Sequence, residues 1–242
     1  ADKATQNTYD TSGQITGQTE VAGVIRSMQV SGSISAPTTA NVGGLVGLNN
    51  ITLGSEDSGI LYKNLASVRV LGGANVGGFV GANYGKINCG IAEMYDTVSS
   101  TDANSLIWVK GMYRVGGFAG YNDASSLITY SYAMSYVNRT MQTFGDEIAD
   151  ETQFYGDIIG VIQTGGFVGY TAGTIINSFA YDQIQQINYD SSIVNAMPKY
   201  TGGFAGLFES ETGTHIDYSF AIGAILTSNP ASDNVYGEYV GF

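Results

Sequence analysis

Charge is scarce in this chain. Only 12% of its 242 residues are Asp, Glu, Lys or Arg, about half the share usual in soluble proteins, so its surface must be built from Ser, Thr, Asn, Gln and Tyr. Positive charge is scarcest: 9 Lys and Arg stand against 21 Asp and Glu, and a formal charge of -12 repels nucleic-acid phosphates and anionic membranes. No nucleic-acid partner is expected. Cys89 is the single cysteine, which excludes an intramolecular disulfide framework and suits an exported protein that avoids thiols. No apolar run reaches the roughly 18 residues of a membrane-spanning helix. His215 is the single histidine; a Ser-His-Asp or Cys-His mechanism would have to use it, and it sits between Thr214 and Ile216 with no nucleophile motif nearby.

Glycine, by contrast, is abundant: the 34 glycines are about twice the usual share, and they recur in a fixed phrase. Val115-Gly116-Gly117-Phe118-Ala119-Gly120 is matched by Val42-Gly43-Gly44-Leu45-Val46-Gly47, Val76-Gly77-Gly78-Phe79-Val80-Gly81, Thr164-Gly165-Gly166-Phe167-Val168-Gly169 and Thr201-Gly202-Gly203-Phe204-Ala205-Gly206. Val21-Ala22-Gly23-Val24-Ile25 reads as a looser first copy, and Tyr239-Val240-Gly241-Phe242 as a last one in which the chain stops. Markers at 21, 42, 76, 115, 164, 201 and 239 give intervals of 21, 34, 39, 49, 37 and 38 residues, the range of solenoids and propellers.

A second phrase follows each glycine phrase: an aliphatic residue five places before an alanine, with a bulky residue just before that alanine. Its copies are Leu61 to Leu65-Ala66, Ile87 to Ile91-Ala92, Ile128 to Tyr132-Ala133, Ile175 to Phe179-Ala180 and Ile216 to Phe220-Ala221. The alternation of large residues with small or polar ones (Asn64, Gly90, Ser131, Ser178, Ser219) has period two and predicts a strand. Between the phrases lie turn residues, among them Asn49, Asn83 and Asn122 at one repeat position. These asparagines either serve the turns alone or stack their amides as a ladder.

The two phrases together resemble the GLUG repeat of secreted and cell-surface proteins, most closely in Gly77-Gly78-Phe79-Val80-Gly81-Ala82-Asn83-Tyr84-Gly85-Lys86-Ile87-Asn88 and in Gly165 to Gly169 followed by Gly173 to Ala180. Phe replaces the usual Leu in four copies, and the spacing is longer than in typical arrays. The resemblance implies a β-solenoid module of large exported proteins, such as adhesin-like surface proteins or the non-catalytic part of immunoglobulin-cleaving proteases. It carries no catalytic residue.

The expected fold is therefore all-β: a parallel β-solenoid of about six irregular coils over residues 21–242, with 1–20 as a polar arm or cap. Length varies in 93–110, 135–160 and 182–198, which places insertions on one side. Strand is expected around Leu106 to Arg114, and a helical turn or two within Asp146 to Phe154. In such a stack Phe79, Phe118, Phe167 and Phe204 form an aromatic ladder, expected inside the rod, with an outward stripe as the alternative.

Function is expected to be structural or adhesive rather than enzymatic: a subunit or segment of an extracellular surface fibre, stalk or layer. Tyr239, Val240, Gly241 and Phe242 then form an edge for head-to-tail assembly. Alternatives are a carbohydrate-binding or carbohydrate-cleaving β-helix, for which Asp96, Asp123, Asp182 and Asp217 are scattered candidate acids, and a spacer of a large secreted protease. The tyrosines offer stacking surfaces to a glycan or host-surface ligand. No cofactor is expected except calcium at Asp146, Glu147, Asp150 and Glu151, with Asp157 nearby; a solvated acidic loop is the alternative. Asn50 and Asn138 head sequons that an exporting host would glycosylate.

Overall fold

The computed structural model describes residues 4–9, 15–21, 24–57, 60–95, 109–136, 158–187, 200–209, 212–228 and 235–241. Every regular element among them is a strand. Three sheets of mostly parallel strands organise the chain into a solenoid-like arrangement, as the repeats lead one to expect.

The glycine phrases lead into a five-stranded parallel sheet made of Val46–Asn49, Val80–Asn83, Ala119–Asn122, Val168–Thr171 and Ala205–Phe208, here the glycine sheet. A six-stranded isoleucine sheet follows around the turn: Val24–Ile25, Thr52–Leu53, Lys86–Asn88, Leu127–Thr129, Thr174–Ile176 and Ile216–Asp217. The largest, here the alanine sheet, contains Gln29–Gly43, Asn64–Gly77, Gly90–Tyr95, Tyr132–Tyr136, Phe179–Ile187 and Phe220–Ser228, joined by shorter strands such as Val109–Lys110 and Tyr113–Gly116. The strand expected around Leu106 to Arg114 is present from Val109 onward.

Equivalent residues pair in register, so each column of the stack is chemically uniform. Ile87 aligns with Leu53 and Ile128, then Ile175 and Ile216; Ala92 aligns with Ala66 and Ala133, then Ala180 and Ala221. The phenylalanines do face inward. Phe79, Phe118 and Phe167 are 0% exposed, and their rings stack nearly parallel with centroids 4.7 Å and 4.8 Å apart, followed by Phe204 at 4.9 Å. Those separations are the strand spacing itself, about 4.8 Å, so backbone pairing and ring stacking are satisfied together.

The glycines permit this closeness. A Cβ on Gly117 would lie 2.2 Å from the carbonyl oxygen of Gly166 in the next pass, and one on Gly120 would lie 2.3 Å from the backbone of Asn75 in the previous one. No side chain fits at either distance.

The structure corrects the sequence reading at four places. The second phrase is not one strand: Cys89, Tyr130, Asn177 and Tyr218 have φ of 57°, 49°, 51° and 50°, and this left-handed corner separates the isoleucine strand from the alanine strand. It also reverses the face, so that Ile87 and Ala92 both point inward while Tyr132 and Phe179, next to their alanines, lie on the outer face. Leu61 is not the aliphatic member of its pass; Leu53 is, because Ser55–Asp57 and Ile60–Tyr62 form an inserted antiparallel hairpin. Val21 to Ile25 is no glycine phrase, since Ile25 pairs with Leu53 in the isoleucine column. Ile15–Val21, mostly within the expected polar arm, pairs antiparallel with Ala4–Tyr9, which adds to that reading without overturning it.

The fourth correction concerns the other end. Val235–Gly241 runs antiparallel along Phe220–Ser228, with Val240 opposite Ile222 and Gly241 opposite Ala221. Tyr239, Val240 and Gly241 thus add an antiparallel strand to the alanine sheet instead of starting another parallel pass; Phe242 lies outside the described residues.

Candidate interaction surfaces

The turn after each glycine strand is built around the asparagine column. Asn49 Nδ2 donates to Asn83 Oδ1 at 2.7 Å, Asn83 Nδ2 to Asn122 Oδ1 at 2.9 Å, and Asn122 Nδ2 to Thr171 Oγ1 at 3.0 Å. The same side chains also hold their local turns: Asn49 Oδ1 accepts from the Ile51 N–H and Asn83 Oδ1 from the Gly85 N–H. Ladder and turn are one device, and it is buried. A serine column does similar work at the corner, where Ser131 Oγ accepts from the Gly90 N–H at 3.0 Å and donates to Thr129 O at 2.8 Å.

On the outer face of the glycine sheet the tyrosines form a stripe. Tyr121 and Tyr170 stack at 5.2 Å, and Tyr84 lies tilted at 5.6 Å from Tyr121. Arg114 lies over Tyr113, Tyr121 and Tyr170 at 4.9, 5.0 and 4.7 Å and donates from Nε to Gln163 Oε1. The sequence reading missed Arg114; its signal was its place just before a glycine phrase, the position held by Asn41, Asn75 and Gln163 in other passes, all with positive φ. Tyr121 donates to Asp123 Oδ1 and Tyr170 to Glu209 Oε2. Burial, then these hydrogen bonds to carboxylates, push both phenols up to about 12. Burial works to raise Asp123, but hydrogen bonds from the Ser125 hydroxyl and N–H and from Tyr121 outweigh it and hold the carboxyl below its ordinary value.

The alanine sheet carries a second outward stripe: Tyr132, Phe179 and Phe220, stacked at 4.9 and 5.2 Å, beside exposed Tyr181 and Ile222. In both stripes the rings cover one another, so their edges rather than their faces meet solvent. Tyr218 at the last corner differs, being 84% exposed.

The three described candidate acids do not converge. Asp123 is in an exposed turn, Asp217 sits beside His215 with 3.4 Å between Oδ2 and Nε2, and Asp182 is inside, its carboxylate against Gly117 and Gly166. Asp96 lies outside the described residues, as do Asn138 and the calcium candidates Asp146, Glu147, Asp150, Glu151 and Asp157. Among the described residues no group of three His, Cys, Asp or Glu could hold a metal ion. Asn50 is exposed in the turn between its glycine and isoleucine strands, and Cys89 is buried at its corner. No family model, curated protein or solved structure matches the chain.

Proposed function

We propose that this chain is a non-enzymatic structural or adhesive β-solenoid of the GLUG type, about six irregular coils with insertions on one side, working outside the cell as part of a surface fibre, stalk or layer. The observation that carries this reading is the set of side-chain ladders that run between passes. Phenylalanine, isoleucine, alanine and asparagine columns fill the interior from pass to pass, and the design invests in axial rigidity. Among the described residues the ionisable side chains do not gather in one place: His215 and Asp217 share an exposed turn, and Asp123 serves its own loop. Self-association or a larger surface assembly supplies the partner, and Asn50, with Asn138, is available for glycan attachment where the host performs it.

Immunogold labelling of intact cells that make the protein tests this reading. Gold on the outer surface, along fibres or a layer, is the expected outcome; gold confined to sectioned cell interiors would overturn it. A second reading, carbohydrate binding, is favoured by one feature, the exposed ring of Tyr218 beside the His215 and Asp217 pair. Loss of glycan retention in Tyr218→Ala would support that reading.

A further inference from the structure

Gln29–Gly43, the first long strand of the alanine sheet, pairs on one side only: Asn64–Gly77 lies along it, and among the described residues no strand lies along its other edge. The columns it begins are open there. Val30 and Ile34 are partly exposed and Gly32 is exposed, whereas Ala66, Val70 and Val68, their respective neighbours in the next pass, are 1%, 0% and 3% exposed. Charge is a usual guard of a free edge, yet no charged residue stands between Arg26 and Glu56.

The polar groups on that edge follow from one hydrogen bond. The Leu65 N–H donates to Met28 O at 2.8 Å, so Met28 turns its carbonyl toward Asn64–Gly77. The register then runs without a shift to Ala36. Direction alternates along a strand, so Val30, Gly32, Ile34 and Ala36 also bond to that neighbour, while Gln29, Ser31, Ser33 and Ser35 turn their N–H and C=O groups to the open edge. All four are exposed.

The sequence here is nearly a palindrome about Gly32. Ser31 and Ser33 flank it, then Val30 and Ile34, then Gln29 and Ser35. The limits match as well. Ser27 on one side is a left-handed corner with φ of 54°; Pro37, equally far on the other, has no N–H to offer and lies within the register shift between Ala36 and Ala40. An antiparallel strand of the same sequence, turned about a two-fold axis through Gly32, satisfies all of these features. Ser31 meets Ser33 of the second copy and Gln29 meets its Ser35, and these outward-facing residues make the hydrogen-bonded pairs. Val30 meets Ile34 of the second copy in a non-hydrogen-bonded pair, where side chains approach most closely. Val30 and Ile34 both pack against the core, and the axis keeps them on the inner face, so the two cores become continuous.

We infer that the edge from Met28 to Ala36 is the contact of a two-fold symmetric dimer of this chain, in which the alanine sheets of two copies join antiparallel at Gly32 with the amino-terminal ends of their stacks together. This gives the self-association proposed above a surface and rests on that reading. It can fail independently, because surface labelling does not depend on this edge.

The test is sedimentation velocity of the full chain over a range of concentrations. A species of twice 25.4 kDa should grow at the expense of the monomer and go no further, because a two-fold contact closes on itself. Ser33→Pro removes an outward N–H and none that pairs with Asn64–Gly77, so it should weaken the dimer by about tenfold or more while circular dichroism shows the fold retained. Cysteine reads the register. An equimolar mixture of Ser31→Cys and Ser33→Cys chains should form an intermolecular disulfide under mild oxidation several-fold faster than either variant alone, since only Ser31 and Ser33 are directly opposed. Four results would each overturn the inference: a monomer at every concentration, growth beyond two copies, a dimer as tight in Ser33→Pro, or equal disulfide formation by the mixture and the single variants.

Discussion

Asn83 and Asn122 lie 39 residues apart in sequence and 2.9 Å apart through Nδ2 and Oδ1, and each also closes the turn in which it sits. One side chain thus fixes a local turn and its axial neighbour at once. Because both are buried, the bond cannot be exchanged for water.

Replacing Asn122 by Ala should therefore cost more than an ordinary turn asparagine would. It leaves one of the two N–H groups on Asn83 Nδ2 without its acceptor, the other being held by Gly85 O, and removes one of the two acceptors of the Ser126 hydroxyl, Asp123 O being the other. A loss of about 2–4 kcal/mol in urea unfolding is expected, from one to two buried groups left unsatisfied. Loss below about 0.5 kcal/mol would show that the ladder is not a stabilising element.

The ring column should be most sensitive at its middle. Phe118→Ala removes a ring stacked on both faces and should cost about 3–5 kcal/mol, while Phe204→Ala, covered on one face and partly exposed, should cost about half of that. Thermal or urea denaturation of the two variants measures the difference.

Thr164 stands in the column of Val42, Val76 and Val115, fully buried, and its hydroxyl has no hydrogen-bond partner among the described residues. Thr164→Val keeps the shape and removes that oxygen. It should stabilise the fold by about 1 kcal/mol, read as a higher urea midpoint at unchanged slope.

Tyr121 and Tyr170 set an alkaline limit. Both phenols rise from 10.0 to about 12 in the folded chain, so the protonated form is the one that folding favours. Their contribution is complete below pH 10 and is lost as pH climbs through 12. Spectrophotometric titration should show two phenols ionising near pH 12 with a parallel fall in stability, and Tyr121→Phe with Tyr170→Phe should remove that late phase.

Much of this architecture was legible in the sequence because each column repeats one residue type. The glycine phrases and the recurrence of the alanine followed from the repeat, and inward phenylalanines were the first of two readings, with an outward stripe as the other; that the alanines rather than Tyr132 and Phe179 face inward was not legible. What stayed hidden depended on backbone sign. Nothing in Cys89, Tyr130 or Tyr218 announces a left-handed φ, since these residues are not the usual occupants of that region, so two strands read as one. Leu61 satisfied the spacing that Leu53 fulfils in space, because an inserted hairpin separates Leu53 from its alanine. Val240 and Gly241 carry the phrase, yet their pairing follows the open edge of Phe220–Ser228 rather than the glycine column. Arg114 was invisible as a surface residue until the corner column placed it over three tyrosines.

The central claim is that the repeats stack as parallel, in-register passes whose ladders make a rigid scaffold. Native-state hydrogen exchange across the glycine sheet tests it most directly. Amides of Phe79, Phe118 and Phe167 should open only with global unfolding, forming one protected block. Exchange at Phe118 as fast as in an unstructured peptide would contradict the stack and, with it, the scaffold function.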